Sequence, residues 1–151
     1  MESLLADLRR ISTALVLISM LPAAAPAGTG FLQGWSLPEG AESHWVALGD
    51  VDGDFYIDAY VTEFYGPDVL WLNDGDGLFA RSPQVLDSGY GSCALLAPLD
   101  NNGSLDLFLA RHLASNRVWF NDGAGTLSDS GQAIGLAFSR HSAALADLDG
   151  D

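Results

Sequence analysis

Carboxylates gather at three points of this chain, with a spacing that suits metal coordination. The run Asp50-Val51-Asp52-Gly53-Asp54-Phe55-Tyr56-Ile57-Asp58 puts acids at positions 1, 3, 5 and 9 of a short loop. Alternate residues of a tight loop face inward. Asp50, Asp52, Asp54 and Asp58 therefore converge with the main-chain carbonyl of Tyr56, at position 7, into the hard oxygen shell that Ca2+ takes. Position 6 is Phe55, where glycine usually eases the turn, so the geometry is expected to be less ideal. A second run offers Asp100, Asn102, Ser104 and Asp106 at positions 3, 5, 7 and 9, with Gly103 at position 6. Pro98 stands where its first ligand belongs, so weaker binding or none is expected there. The third run, Asp147, Asp149 and Asp151, lacks positions 7 and 9 and is expected to be incompetent as it stands.

Two other readings of these acids compete with calcium. An EF-hand needs glutamate at position 12, which is Val61 here, and flanking helices. Turn aspartates that bind no ion are common in hairpins, but the ligand number and spacing of the first run favour the ion. Asn102-Gly103-Ser104 is also an N-x-S sequon, whose place inside a metal loop argues against glycosylation. No Ser-His-Asp order, phosphate-cradling glycine loop or zinc-type His/Cys cluster stands out. His44 and His141 hold equivalent positions and read as surface or capping residues before a ligand site is considered. His112 has no equivalent. Cys93, the single cysteine, lies in an apolar run and reads as a buried small hydrophobe.

The elements that carry these loops repeat with them. First positions 50, 98 and 147 are 48 and 49 residues apart. A shift of 48 also lays Trp71-Leu72-Asn73-Asp74-Gly75 on Trp119-Phe120-Asn121-Asp122-Gly123, Leu48 on Leu96, and Gln84 on Gln132. A period of this size points to propeller blades or a solenoid. Strands are expected near Trp45–Gly49, Ala59–Glu63, Val69–Asn73 and Leu78–Val85. The second set is near Cys93–Ala97, Leu107–Arg111, Arg117–Asn121 and Thr126–Ser130. Four strands per unit make a blade, and the fold class is all-β: four-stranded antiparallel β-propeller blades of about 48 residues, in an incomplete array of two and a fraction. Cys93-Ala94-Leu95-Leu96-Ala97 is continuously apolar, as for an inner strand covered on both faces. Asn73-Asp74-Gly75 and Asn121-Asp122-Gly123 suit tight hairpins, and Trp71 and Trp119 read as core.

Charge and the N-terminus bear on compartment and partners. Arg9 and Arg10, the apolar run Ile11–Leu21 and the Ala25-Pro26-Ala27 site read as a signal peptide over residues 1–27. Against this, Glu2 and Asp7 are atypical of such a leader. The apolar run is too short for a membrane span, so none is expected in the mature chain. The net charge of −14 lies after the leader, and there is no lysine. Such a field repels nucleic acid and anionic lipid and favours cations, although a saline habitat would select the same composition. With one cysteine no internal disulfide can form, and metal is the staple left to an exported chain.

Taken together, Asp50-x-Asp52-Gly53-Asp54-x-x-x-Asp58, Val118 to Thr126 and Ser128 to Gln132 resemble the FG-GAP/VCBS repeats of integrin-α-like β-propellers. The resemblance spans about Gly28 to Asp151. It implies calcium in the hairpin between the first two strands of a blade and, in many members, a closed seven-bladed ring; it implies no reaction. The expected organisation is an outer strand over 28–43, repeats over 44–91 and 92–140, and the start of a third over 141–151. The array is expected to continue, with the N-terminal strand closing the ring. The function expected is a secreted, extracellular, periplasmic or cell-surface binding or adhesion scaffold for a protein or glycan ligand. The alternative is the propeller portion of an extracellular enzyme of polysaccharide lyase or phospholipase type. Fold alone does not choose between them.

Overall fold

Apolar residues on short strands, separated by Gly, Asn and Asp turns, must find partners across sheets. In the computed structural model they form two of them. Residues 42–87, 90–138 and 142–148 are described. The leader, residues 28–41 of the expected outer strand, His141, Asp149 and Asp151 lie outside the described residues. The first sheet takes β1 (Ser43–Gly49), β2 (Asp58–Glu63), β3 (Val69–Asn73) and β4 (Phe79–Arg81). The second takes β5 (Gly91–Ala97), β6 (Asp106–Arg111), β7 (Ala114–Asn121) and β8 (Leu127–Phe138). Each is a meander of sequential antiparallel strands, so each repeat folds as one four-stranded blade.

The blades are copies down to their registers. Gly49 pairs with Asp58 and Ala97 with Asp106, which opens both acidic loops at the same end of the sheet. Ala59 faces Trp71 and Leu107 faces Trp119 across the next ladder. The fourth strands differ from expectation in opposite directions. β4 stops at Arg81, where Ser82 and Pro83 follow and proline withholds a ladder N–H. β8 runs on to Phe138, crossing Gly131 and Gly135 at positive φ, and its pairing with β7 shifts register twice.

The core sits between the two sheets. Ala47, Val51, Tyr60 and Leu70 from the first blade pack with Ala94, Leu107, Leu109 and Leu127 from the second, with Leu86 of the linker among them. Every residue of β2 is buried, whereas β1 is buried only at Ala47 and Gly49. Cys93 is fully buried, next to Ala94 of this core in β5, and Trp119 packs on the edge of the core. Gln84 bridges the blades in both senses. Its amide nitrogen donates to the Gly125 carbonyl at 2.6 Å, and its amide oxygen accepts the Leu127 N–H at 2.9 Å. No described helix is long and apolar enough to cross a membrane.

Candidate metal centre

The first acidic loop is wound around its own carboxylates. Asp50 Oδ1 accepts the N–H groups of Gly53 and Asp54 at 2.7 and 3.1 Å, and Oδ2 accepts that of Phe55 at 2.9 Å. Asp54 Oδ1 accepts the Tyr56 N–H at 2.8 Å. Asp58, fully buried at the start of β2, ties the loop to the sheet. Its Oδ2 accepts the Val51 N–H at 2.8 Å and its Oδ1 the Asn73 N–H of β3 at 2.9 Å.

This winding brings Asp50, Asp52 and Asp58 together, one carboxylate oxygen from each lying within 4.8 Å of the others. No other such group of acids, histidines or cysteines occurs among the described residues. Burial first, then the charge of Asp54, raises the Asp52 carboxyl above its ordinary range. Burial also raises that of Asp58; the Asn73 and Val51 N–H groups oppose the rise, and the charges of Asp52 and Asp54 add to it. A set of crowded anionic oxygens, each with lone pairs to spare beyond its N–H partners, is a donor set for a hard cation. Asp54 lies outside the group of three, although its charge is felt by both Asp52 and Asp58. Tyr56 contributes a second role not legible in the spacing. Its ring fills the space beside Gly75 of the β3–β4 hairpin, where an added Cβ would lie 2.3 Å from the Tyr56 Cζ.

The second loop has the same backbone with different chemistry. Positive φ falls at positions 4 and 6 in both, at Gly53 and Phe55 and at Asn101 and Gly103. Asp106 repeats the Asp58 role, accepting Leu99 and Asp100 N–H groups on Oδ2 at 2.6 and 3.2 Å and the Asn121 N–H on Oδ1 at 2.8 Å. Asn102 instead donates its amide to Asp100 Oδ2 at 3.2 Å and to the Asn121 carbonyl at 2.7 Å, while its oxygen accepts the Ser104 N–H at 2.7 Å. The neutral amide thus supplies Asp100 with a hydrogen-bond donor from within the loop. In the third run, Asp147 is exposed.

The FG-GAP-like repeat matches this chain twice, over residues 50–109 and 99–151. The chain belongs to the FG-GAP-like repeat family. No curated protein and no solved structure matches it. In this chain the FG-GAP-like loop of one blade is also seated on the next. Asn121 Nδ2 donates to the Val51 carbonyl at 2.7 Å, and an added Cβ on Gly125 would stand 3.0 Å from the Asp52 Cβ.

At the opposite end of the blades lies a feature that motif reading missed. Phe64 is the hub of an aromatic group. His44 stacks on it at 4.7 Å, Tyr65 and Tyr90 meet it edge-on at 4.6 and 5.8 Å, and His112 tilts against it at 6.0 Å. His44 and His112 thus share one cluster, although only the former had a repeat equivalent. The signal was unreadable because Tyr90 and His112 reach Phe64 across the blade joint, far apart in sequence. Tyr65 and Tyr90 are exposed, and Tyr90 holds a φ of 68°.

Proposed function

We propose that this chain is a secreted, calcium-stabilised β-propeller repeat module that serves as a binding or adhesion scaffold for an extracellular protein or glycan. The observation that carries the calcium part is the approach of Asp50, Asp52 and Asp58 oxygens to within 4.8 Å of one another. Asp50, Asp52 and Asp58 would hold the ion, which would neutralise their repulsion and clamp the β1–β2 loop against the hairpin of the next blade. FG-GAP-like repeats are typical of extracellular propeller scaffolds, and membership of that family supports the binding role. The exposed rings of Tyr65 and Tyr90, at the end away from the acidic loops, offer a surface on which a partner can rest.

Calorimetric titration of the protein with CaCl2, paired with thermal melts in calcium and in chelator, tests this reading. A dissociation constant on the order of 10⁻⁴ to 10⁻³ M is expected of such a module, with a higher melting temperature in calcium. Identical melts in calcium and chelator would remove the ion from the proposal and leave the scaffold alone.

A further inference from the structure

The joint between the blades buries a carboxylate that touches no cation among the described residues. Asp68, in the β2–β3 connection, is 2% exposed. Its Oδ2 accepts the Tyr60 hydroxyl and its Oδ1 the Glu63 N–H, each at 2.9 Å, and both donors are neutral. The second blade presses on it directly. A Cβ added to Gly91, the first residue of β5, would lie 2.9 and 3.0 Å from the two carboxylate oxygens and 2.9 Å from the Thr62 Cβ. The charged groups around it are Glu63 of β2 and Asp87 of the β4–β5 linker, both acids. Arg111 of β6 is engaged with Asp87, its Nε 2.6 Å from Oδ2. Tyr60 is a further titratable neighbour, and burial followed by the Asp68 charge keeps its hydroxyl protonated; Tyr90 and His112, of the strip against Phe64, are the titratable groups that the second blade brings to the joint.

The same joint is closed by main-chain bonds. Tyr90 N–H crosses it to the Phe64 carbonyl at 3.2 Å and Asp68 N–H holds the linker at the Asp87 carbonyl at 2.8 Å, while His112 N–H extends the β5–β6 ladder onto the Tyr90 carbonyl at 2.8 Å. The Thr62 hydroxyl borders the Gly91 contact, buried and without a hydrogen-bond partner. A neutral carboxylic acid here would bring an O–H donor and no charge, whereas a carboxylate leaves an anion in a closed, acid-lined space.

We propose that Asp68 is a proton switch in the blade joint: as the neutral acid it lets Gly91 and the Phe64–Tyr90–His112 strip close, and its ionisation loosens them. Burial is the main cause of a carboxyl pushed up to about 7; the Glu63 N–H and the Tyr60 hydroxyl work against it, and the charges of Asp87 and Glu63 add to it. A raised acid of this kind stabilises the closed joint fully below its ordinary value of 3.8, and the contribution is lost as pH rises through about 7. The strip carries the aromatic group, so the proton sets how rigidly those rings are presented. The switch does not depend on the calcium reading.

Amide hydrogen exchange of the whole chain, corrected for intrinsic rates, reads the joint at Tyr90 and Asp68, whose N–H groups bond to Phe64 and Asp87. Protection there is expected to fall about tenfold between pH 6 and pH 8, and to become flat in Asp68→Asn, which keeps the neutral form. Protection that ignores pH, or that falls equally in Asp68→Asn, overturns the proposal. Direct carbon-13 NMR titration of the Asp68 carboxyl serves if the variant does not fold. A midpoint at or above pH 6 that coincides with the loss of protection supports the switch, and a lower or non-coincident midpoint overturns it. Both measurements are made in chelator, so a failed calcium site and a failed switch give separate results.

Discussion

The two acidic loops share a backbone and differ in what fills it. Both place positive φ at positions 4 and 6, and both hang from a buried aspartate, Asp58 or Asp106, that accepts N–H groups from the loop and from the third strand. Above that frame, the first loop gathers three carboxylates, while the second satisfies Asp100 with the Asn102 amide. The frame therefore does not need the carboxylate cluster. The carboxylate cluster is a side-chain layer on a hairpin that hydrogen bonds already hold, so one repeat can lack it and still fold.

The largest effect expected from breaking this comparison comes from the frame they share. Asp58→Ala and Asp106→Ala each strand two or more N–H groups in or beside the core and should cost about 3 kcal/mol in denaturant unfolding in chelator, with Asp58→Ala costing more in calcium because it also removes a proposed ligand. If either variant were harmless in chelator, the frame would not be the common element. Next is the layer that differs. Asp50→Asn with Asp52→Asn should erase the calcium-dependent rise in melting temperature, a stabilisation of about 2.7 kcal/mol when calcium is one hundred times its dissociation constant. Stability in chelator should fall by no more than about 1 kcal/mol, because relieved repulsion offsets the acceptor that Asp50→Asn takes from the loop N–H groups.

Conversion in the other direction sharpens the comparison. Pro98→Asp combined with Asn102→Asp should give the second loop a calcium isotherm of its own, visible as an added equivalent in calorimetry. No added equivalent would mean that position in the blade, and not the side chains, separates the loops. The smallest effect concerns Phe55, which is 91% exposed at a φ of 73° where the second loop has Gly103. Phe55→Gly should stabilise the folded loop by about 1 kcal/mol, measured in the same unfolding experiment, as left-handed strain is released.

Much of this was legible in the residues. The 48-residue register fixes strand pairing because each blade repeats Leu48 as Leu96 and Trp71 as Trp119, and the observed ladders keep that correspondence. Strand ends were less readable. β4 and β8 occupy the outer edge, where one neighbour is missing and local proline or glycine decides the length. Within the site, the spacing named the acids but could not rank them. Asp54 carries the same chemistry as Asp52, yet the turn leaves it outside the group of three. Gln84 and Gln132 stood out as a repeated pair, and the structure shows what Gln84 does: it staples one blade to the hairpin of the next.

By itself, the sequence determined the all-β class, the repeat unit, the family and the acids that could meet an ion. These follow from periodicity and residue type, which are local. Only the tertiary structure decided that Asp58 and Asp106 are framework carboxylates, that Asn102 turns its amide onto Asp100, and that Phe64 gathers rings from both blades. It also set Asp68 against Gly91 with neutral donors as its hydrogen-bond partners. Each of these depends on desolvation and on contacts across a joint between distant segments, and spacing along the chain carries no record of either.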